Sequence, residues 1–88
     1  IFIPNAFTPN GDGKNDYLSP LILDVESFEF RVFNRLGKLI YQSNTYGDQW
    51  DGKFKGQKVP DGVYVYQLKY VDLELIPHER YGHLTILR

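Results

Sequence analysis

Side chains that carry oxygen are closely spaced between residues 5 and 17, in a segment that also contains two glycines. The calcium loop of an EF-hand places oxygen ligands at alternate positions around a glycine at its sixth position. With Gly13 in that place, the pattern predicts a calcium site formed by Thr8, Asn10, Asp12, Lys14 and Asp16. Lys14 would contribute its backbone carbonyl. Both ends of the pattern fail, because Thr8 replaces the first aspartate and Ser19 has no bidentate carboxylate.

The same segment has a second interpretation, as a solvated loop that its own side chains hold together. Asn and Asp side chains accept hydrogen bonds from nearby backbone amides, and Gly11 and Gly13 allow left-handed backbone conformations. The sequence leaves both interpretations open. Neither makes the segment catalytic.

Sequence signals of catalysis are absent elsewhere in the chain. There is no Gly-x-Ser-x-Gly motif, and the absence of cysteine excludes a thiol nucleophile, a disulfide and a cysteine metal site. His78 and His83 are five residues apart, but a zinc site needs further ligands that the neighbouring sequence does not supply. The sequence therefore predicts that the protein is not an enzyme.

Length and composition indicate one small domain. The chain has 88 residues, a net charge of −1 and no excess of basic residues that would attract nucleic acid. No apolar run reaches the roughly 18 residues of a membrane span. Because Ile1 is not a natural start, we interpret residues 1–88 as a single domain cut from a longer protein, and we expect Arg88 to be its natural end.

Alternating hydrophobicity predicts β-strands, as does an aromatic content of 16%. The clearest strand covers residues 27–35, with Phe28, Phe30 and Val32 facing the core, and a turn at Gly37 leads to a return strand at 39–43. Residues 63–71 and 81–88 alternate in the same way, whereas 72–80 is predicted to be a charged connection. Shorter strands are expected at 1–3, 21–23 and 53–54. The predicted fold is an all-β, immunoglobulin-like antiparallel β-sandwich of about seven strands.

Two turn segments contain candidate structural residues. Trp50 is predicted to close one end of the core, followed by a tight turn at Asp51 and Gly52; the alternative is a sugar-stacking platform formed with Tyr46. The second segment contains Pro60, Asp61 and Gly62, which are residue types that favour a turn, and it is predicted to be one.

These segments together resemble a known family. The sequence Asn-Ala-Phe-Thr-Pro-Asn-Gly-Asp-Gly-Lys-Asn-Asp of residues 5–16 is similar to the opening of the gliding-motility-associated C-terminal domains of Bacteroidetes, which are type B sorting domains of the type IX secretion system. The similarity continues at residues 32–41, 50–52, 59–66 and 82–88, in order and at the right spacing. Leu36 stands where the family often has Trp.

The resemblance implies a sorting role without a reaction. Such a domain directs an attached N-terminal cargo through the periplasm and across the outer membrane, and an outer-membrane partner helps to retain it at the cell surface. The secretion machinery would be the protein partner, and the candidate contact is the terminal strand, at Leu84, Thr85, Ile86, Leu87 and Arg88. A carbohydrate-binding or adhesive module and a structural spacer remain as alternatives.

Overall fold

The computed structural model describes residues 1–11, 13 and 16–88, and this part of the chain contains strands and no helix. The seven strands are β1 (Ala6–Phe7), β2 (Val25–Phe33), β3 (Leu39–Ser43), β4 (Lys53–Phe54), β5 (Gln57–Lys58), β6 (Gly62–Asp72) and β7 (Pro77–Ile86). The predicted all-β fold with about seven strands is confirmed. Nothing in the described residues forms a helix long and apolar enough to cross a membrane.

Five strands form the main sheet, in the order β1-β7-β6-β2-β3, and β4 and β5 form a small second sheet. All neighbours in the main sheet are antiparallel except β1 and β7, which pair in parallel through Ala6 with Thr85 and Phe7 with Ile86. The sheet is therefore mixed, whereas the sequence predicted antiparallel pairing throughout. A two-residue strand has too short a pattern to reveal its direction.

The predicted hairpin is present between β2 and β3. Gly37 has a φ of 83°, which a glycine adopts without steric cost, and its amide donates to the carbonyl of Asn34 at 3.0 Å. The Asn34 side chain accepts hydrogen bonds from the amides of Leu36 and Lys38, both at 3.0 Å. This polar clamp explains why the chain reverses here.

The predicted connection at residues 72–80 is wrong, because β7 begins at Pro77. A tight turn joins β6 to β7, and the Asp72 carboxylate accepts hydrogen bonds from the amides of Glu74 and Ile76, both at 2.9 Å. The strands predicted at residues 1–3 and 21–23 are also wrong in extent, since only an isolated bridge between Phe2 and Leu21 forms there.

The core lies against one face of the main sheet. Phe30, Val32, Leu68 and Leu84 are fully buried on that face. Side chains from irregular segments and from the region around the small sheet form the opposing layer of the sandwich: Leu18, Ile22, Trp50 and Val59. Burying each large apolar side chain stabilises the fold by about 1.5–3 kcal/mol.

Candidate functional site

Arg88 joins the two turn segments that the sequence singled out. Its guanidinium donates to the carbonyls of Gly52, at 2.9 Å, and Val59, and to the Asp61 carboxylate at 3.2 Å. Its backbone amide donates to the other Asp61 oxygen at 3.0 Å. We call Gly52, Val59, Asp61 and Arg88 the terminal latch, because these contacts fix Arg88, two residues beyond the end of the last strand, to both turns.

A glycine at position 52 is required by the latch. Gly52 has a φ of 77°, and a Cβ there would lie 3.0 Å from the Arg88 guanidinium and 3.1 Å from the Pro9 ring. The carbonyl of Gly52 also accepts a hydrogen bond from the amide of Val59 at 2.9 Å. The neighbouring turn is fixed in a similar way, since the Tyr64 hydroxyl donates to the carbonyl of Pro60.

Trp50 lies in the core, with 2% of its surface exposed. Its ring stacks on Tyr41 at a centroid distance of 5.4 Å and contacts Phe7 at 5.6 Å, while its indole nitrogen donates to the carbonyl of Lys53 at 2.9 Å. The alternative of a sugar platform requires an exposed ring face, and Trp50 has none. Tyr46 is exposed, but its hydroxyl donates to the carbonyl of Val25 at 3.1 Å.

The five candidate recognition residues of the terminal strand fall into different environments. Leu84 and Ile86 are fully buried in the core, and Arg88 belongs to the latch, with 17% of its side chain exposed. Thr85 is half-buried beside β1, and Leu87 is 51% exposed. Only Thr85 and Leu87 are therefore placed to contact another protein through their side chains.

The oxygen-rich loop is held in part by Asp16. One carboxylate oxygen of Asp16 accepts a hydrogen bond from the amide of Gly11 at 3.0 Å, and the other accepts one from Gly13 at 2.8 Å. Among the calcium candidates, Thr8, Asn10 and Asp16 lie in the described chain, whereas Asp12 and Lys14 lie outside the described residues. No group of three or more His, Asp or Glu residues that could hold a metal occurs in the described part of the chain. The loop thus has the side-chain clamp that the second interpretation expects, and calcium binding stays a prediction.

The two histidines lie on opposite faces of β7, because an odd separation in a strand reverses the direction of the side chain. His78 stacks on Tyr70 at a centroid distance of 4.7 Å and bonds to the Asp72 carboxylate at 2.8 Å. Hydrogen bonding to His78 and to the turn amides lowers the pKa of Asp72. His78 therefore closes the β6–β7 hairpin and cannot share a metal with His83.

The opposite face of the main sheet carries a polar network. The Tyr81 hydroxyl and the Gln67 amide both donate to the Glu79 carboxylate, the latter at 2.9 Å, and these bonds lower the pKa of Glu79. Within β2, Arg31 forms an ion pair with Glu29 at 2.6 Å. The bond between Gln67 and Glu79 links β6 to β7, on a face that no second sheet covers in the described part of the chain.

The protein is a small β-domain in which Arg88, close behind the last strand, is hydrogen-bonded to the turns that contain Gly52 and Asp61. The sequence profile of the CHU_C type IX secretion signal domain family matches residues 1–86, and the chain belongs to this family. The family is a targeting family rather than a catalytic one, and it implies export through the type IX secretion machinery. No curated protein matches the chain.

Sequence reasoning missed two features of this site. It did not predict β1, because two residues carry no periodicity, and it did not predict that Arg88 bonds to both turns. A signal for the latch is nevertheless present, since the turn at Pro60–Gly62 offers a carboxylate, Asp61, to a cation in the terminal segment. Asp61 and Arg88 come together because β6 pairs with β7 in the register that places Gly62 opposite Ile86.

Proposed function

We propose that the secretion machinery recognises this domain as a folded protein surface, exports the protein attached to it and passes it to an outer-membrane partner that retains it at the cell surface. The family assignment supports the export step. Recognition by a fixed surface is supported above all by the terminal latch, which holds the last strand and two turns in one arrangement.

The surface we propose for this contact surrounds the latch end of the main sheet. Val63 pairs with Thr85 on the uncovered face of the sheet, and Leu87 follows in the same alternation. The hairpin tip at Leu36 borders the same groove as Val63, and Leu36 is 94% exposed. We call Leu36, Val63, Thr85 and Leu87 the recognition patch. Its exposed apolar side chains suit a protein partner, since no ligand-binding chemistry is gathered there.

An export assay tests the patch. A foreign periplasmic protein is fused in front of residues 1–88 in a bacterium that has a type IX system, and surface display is measured by protease access on whole cells. Leu87→Asp and Val63→Asp should leave the fusion in the periplasm without lowering the melting temperature of the purified domain, because both side chains are exposed.

Leu73→Asp is the matched control. Leu73 is also an exposed leucine, but it lies in the turn between β6 and β7, at the opposite end of the sheet from the latch. Its replacement should leave display unchanged. Display that survives both patch variants, or that fails with Leu73→Asp instead, would contradict the patch.

A further inference from the structure

One edge of β7 is largely unpaired in the described part of the chain. On one side β7 pairs with β6 along its whole length, from Pro77 to Ile86. On the other side β1 covers only Thr85 and Ile86. Residues 78–84 therefore present a free strand edge.

The contacts with β1 show which backbone groups point to this edge. The amide of Thr85 donates to the carbonyl of Asn5 at 2.8 Å, and that of Leu87 donates to Phe7 at 3.1 Å. Backbone groups alternate in direction along a strand, so those of Glu79, Tyr81 and His83 point to the same side. These three residues offer free donors and acceptors to an added strand.

The opposite edge of the sheet is better protected. β3 has five residues, and a register shift opposite Val32 and Phe33 leaves Ile40 as an extra residue. Short strands and bulges are devices that prevent edge-to-edge pairing. β7 has ten residues, and its register with β6 is continuous, so its free segment lacks both devices.

We propose that two copies of this chain pair antiparallel through the free edges of β7, about a two-fold axis at Tyr81. In this register Glu79 of one copy lies opposite His83 of the other, so an acidic and a basic side chain meet twice. Tyr81 faces Tyr81, and Arg80 faces Gly82, so no two arginines lie opposite each other. The main sheets of the two copies then form one continuous sheet.

The two neighbouring two-fold registers are less favourable. Centring the pair on Arg80 places the two arginines opposite each other and brings Pro77, which has no amide hydrogen, opposite His83. Centring it on Gly82 places Glu79 opposite Thr85, whose edge β1 already occupies. The register at Tyr81 pairs residues 78–84 only with one another, so the sequence of the free edge is complementary to itself.

The first test measures association of residues 1–88 by sedimentation equilibrium over a wide concentration range. Glu79→Lys should weaken the dimer roughly tenfold, because in both cross-strand pairs a lysine ammonium replaces the carboxylate that faces the His83 imidazole. Glu79→Lys combined with His83→Glu gives two Lys–Glu pairs and should restore association. Glu74→Lys makes the same charge change in the exposed turn and should have no effect.

The second test determines the register by single-cysteine cross-linking, which is clean because the chain has no cysteine. Residues in a hydrogen-bonded antiparallel pair have Cα atoms about 5.5 Å apart, within the range of a disulfide. Tyr81→Cys should therefore form a covalent dimer under mild oxidation, whereas Arg80→Cys should not. Efficient cross-linking through Arg80→Cys would overturn the register.

A chain that remains monomeric at every concentration would overturn the dimer, as would a dimer insensitive to all of these changes. If the chain stays monomeric and its β7 edge binds an extended peptide of another protein, that protein is the partner of the edge and the dimer proposal is wrong. The sorting role does not depend on the outcome, since the export assay is read from display of the fusion and not from association.

Discussion

At the residue scale, Arg88 shows how one side chain can organise several segments. Its guanidinium donates to the backbone carbonyls of Gly52 and Val59, and Asp61 balances its charge. Hydrogen bonds to charged groups contribute about 1.5–3 kcal/mol when both partners are well placed. Arg88 is therefore expected to stabilise the fold as well as to border the recognition patch.

Arg88→Met should lower the free energy of unfolding by about 1–3 kcal/mol, because the methionine keeps the apolar stem and removes the donors to Gly52, Val59 and Asp61. Urea unfolding followed by tryptophan fluorescence measures it, with Trp50 as the reporter. Arg35→Met is the control, since Arg35 is exposed in the hairpin and should change stability by less than about 0.5 kcal/mol. Equal effects from the two variants would show that the latch contributes nothing specific.

Gly82 is a second residue whose identity follows from a close contact. It lies opposite Tyr66 in β6, and a Cβ at Gly82 would come 2.4 Å from the Tyr66 hydroxyl and 2.5 Å from the ring. Gly82→Ala should therefore destabilise the domain by about 1–3 kcal/mol, since the ring must move out of its packed position.

A double-mutant cycle separates this clash from a general effect on the strand. In the background Tyr66→Ala, the change Gly82→Ala should cost little, because the ring it meets is gone. The coupling energy is the difference between the loss of unfolding free energy that Gly82→Ala causes in the unaltered domain and the loss that it causes in Tyr66→Ala. Both are measured by urea unfolding. A coupling near zero would mean that the ring does not determine the glycine.

At the scale of elements, the sequence predicted those strands that have one buried and one exposed face. β2, β3 and β6 follow this rule, and their predicted bounds agree with the structure within a few residues. The first half of β7 breaks the rule. From Pro77 to Tyr81 it is exposed on both faces, because the second layer of the sandwich does not reach that far, and charged residues therefore occupy both faces. Alternation is absent for this physical reason, so the sequence pattern predicts a connection where the structure has a strand.

The same limit applies to the site. The turn residues Trp50–Gly52 and Pro60–Gly62 could be located from composition, since turns have local signatures. Their meeting at Arg88 depends on pairing between residues that are distant in sequence, which no local signature encodes. The free edge of β7 was likewise invisible, because it depends on the short reach of β1.

The β6–β7 hairpin gives a prediction about pH. Hydrogen bonds from His78 and from the turn amides lower the pKa of Asp72 below its ordinary value of 3.8. A carboxyl with a lower pKa in the folded state stabilises the fold fully above the ordinary pKa, and this contribution is lost as the pH falls through the lowered value. The unfolding midpoint in urea should therefore fall between about pH 5 and pH 2, and less steeply in Asp72→Asn. Identical pH profiles for the two proteins would contradict this role for the carboxylate.

The oxygen-rich loop gives a prediction about calcium. If the loop binds calcium, the melting temperature should be higher in calcium than in chelator, because a ligand of the folded state stabilises it. Asp12→Ala should abolish this increment. Asp16→Ala should also lower the melting temperature in chelator, because the Asp16 carboxylate accepts hydrogen bonds from the amides of Gly11 and Gly13. A melting temperature that is the same in calcium and in chelator removes the calcium prediction and leaves the sorting role intact.

At the scale of the whole molecule, the sandwich holds its two ends in different ways. One end carries the latch and the proposed recognition patch, and the other carries the β6–β7 turn, whose hydrogen bond between Asp72 and His78 closes an exposed apolar tip. Leu84 lies three residues before Leu87 but on the other side of the sheet, in the core. Substitutions of these two leucines therefore distinguish an export signal that is read as a folded surface from one that is read as a linear sequence.

If the machinery reads a folded surface, Leu84→Ala should reduce export only where the domain unfolds. A buried leucine replaced by alanine loses about 2–5 kcal/mol of stability, a large part of what a small domain has. Display of the fusion should therefore be near normal at low temperature and should fall as the temperature approaches the lowered melting point. Leu87→Asp should block display at every temperature while the domain stays folded. If Leu84→Ala blocks export even where the purified domain is folded, the signal is read as a linear sequence, and recognition of a fixed surface is wrong.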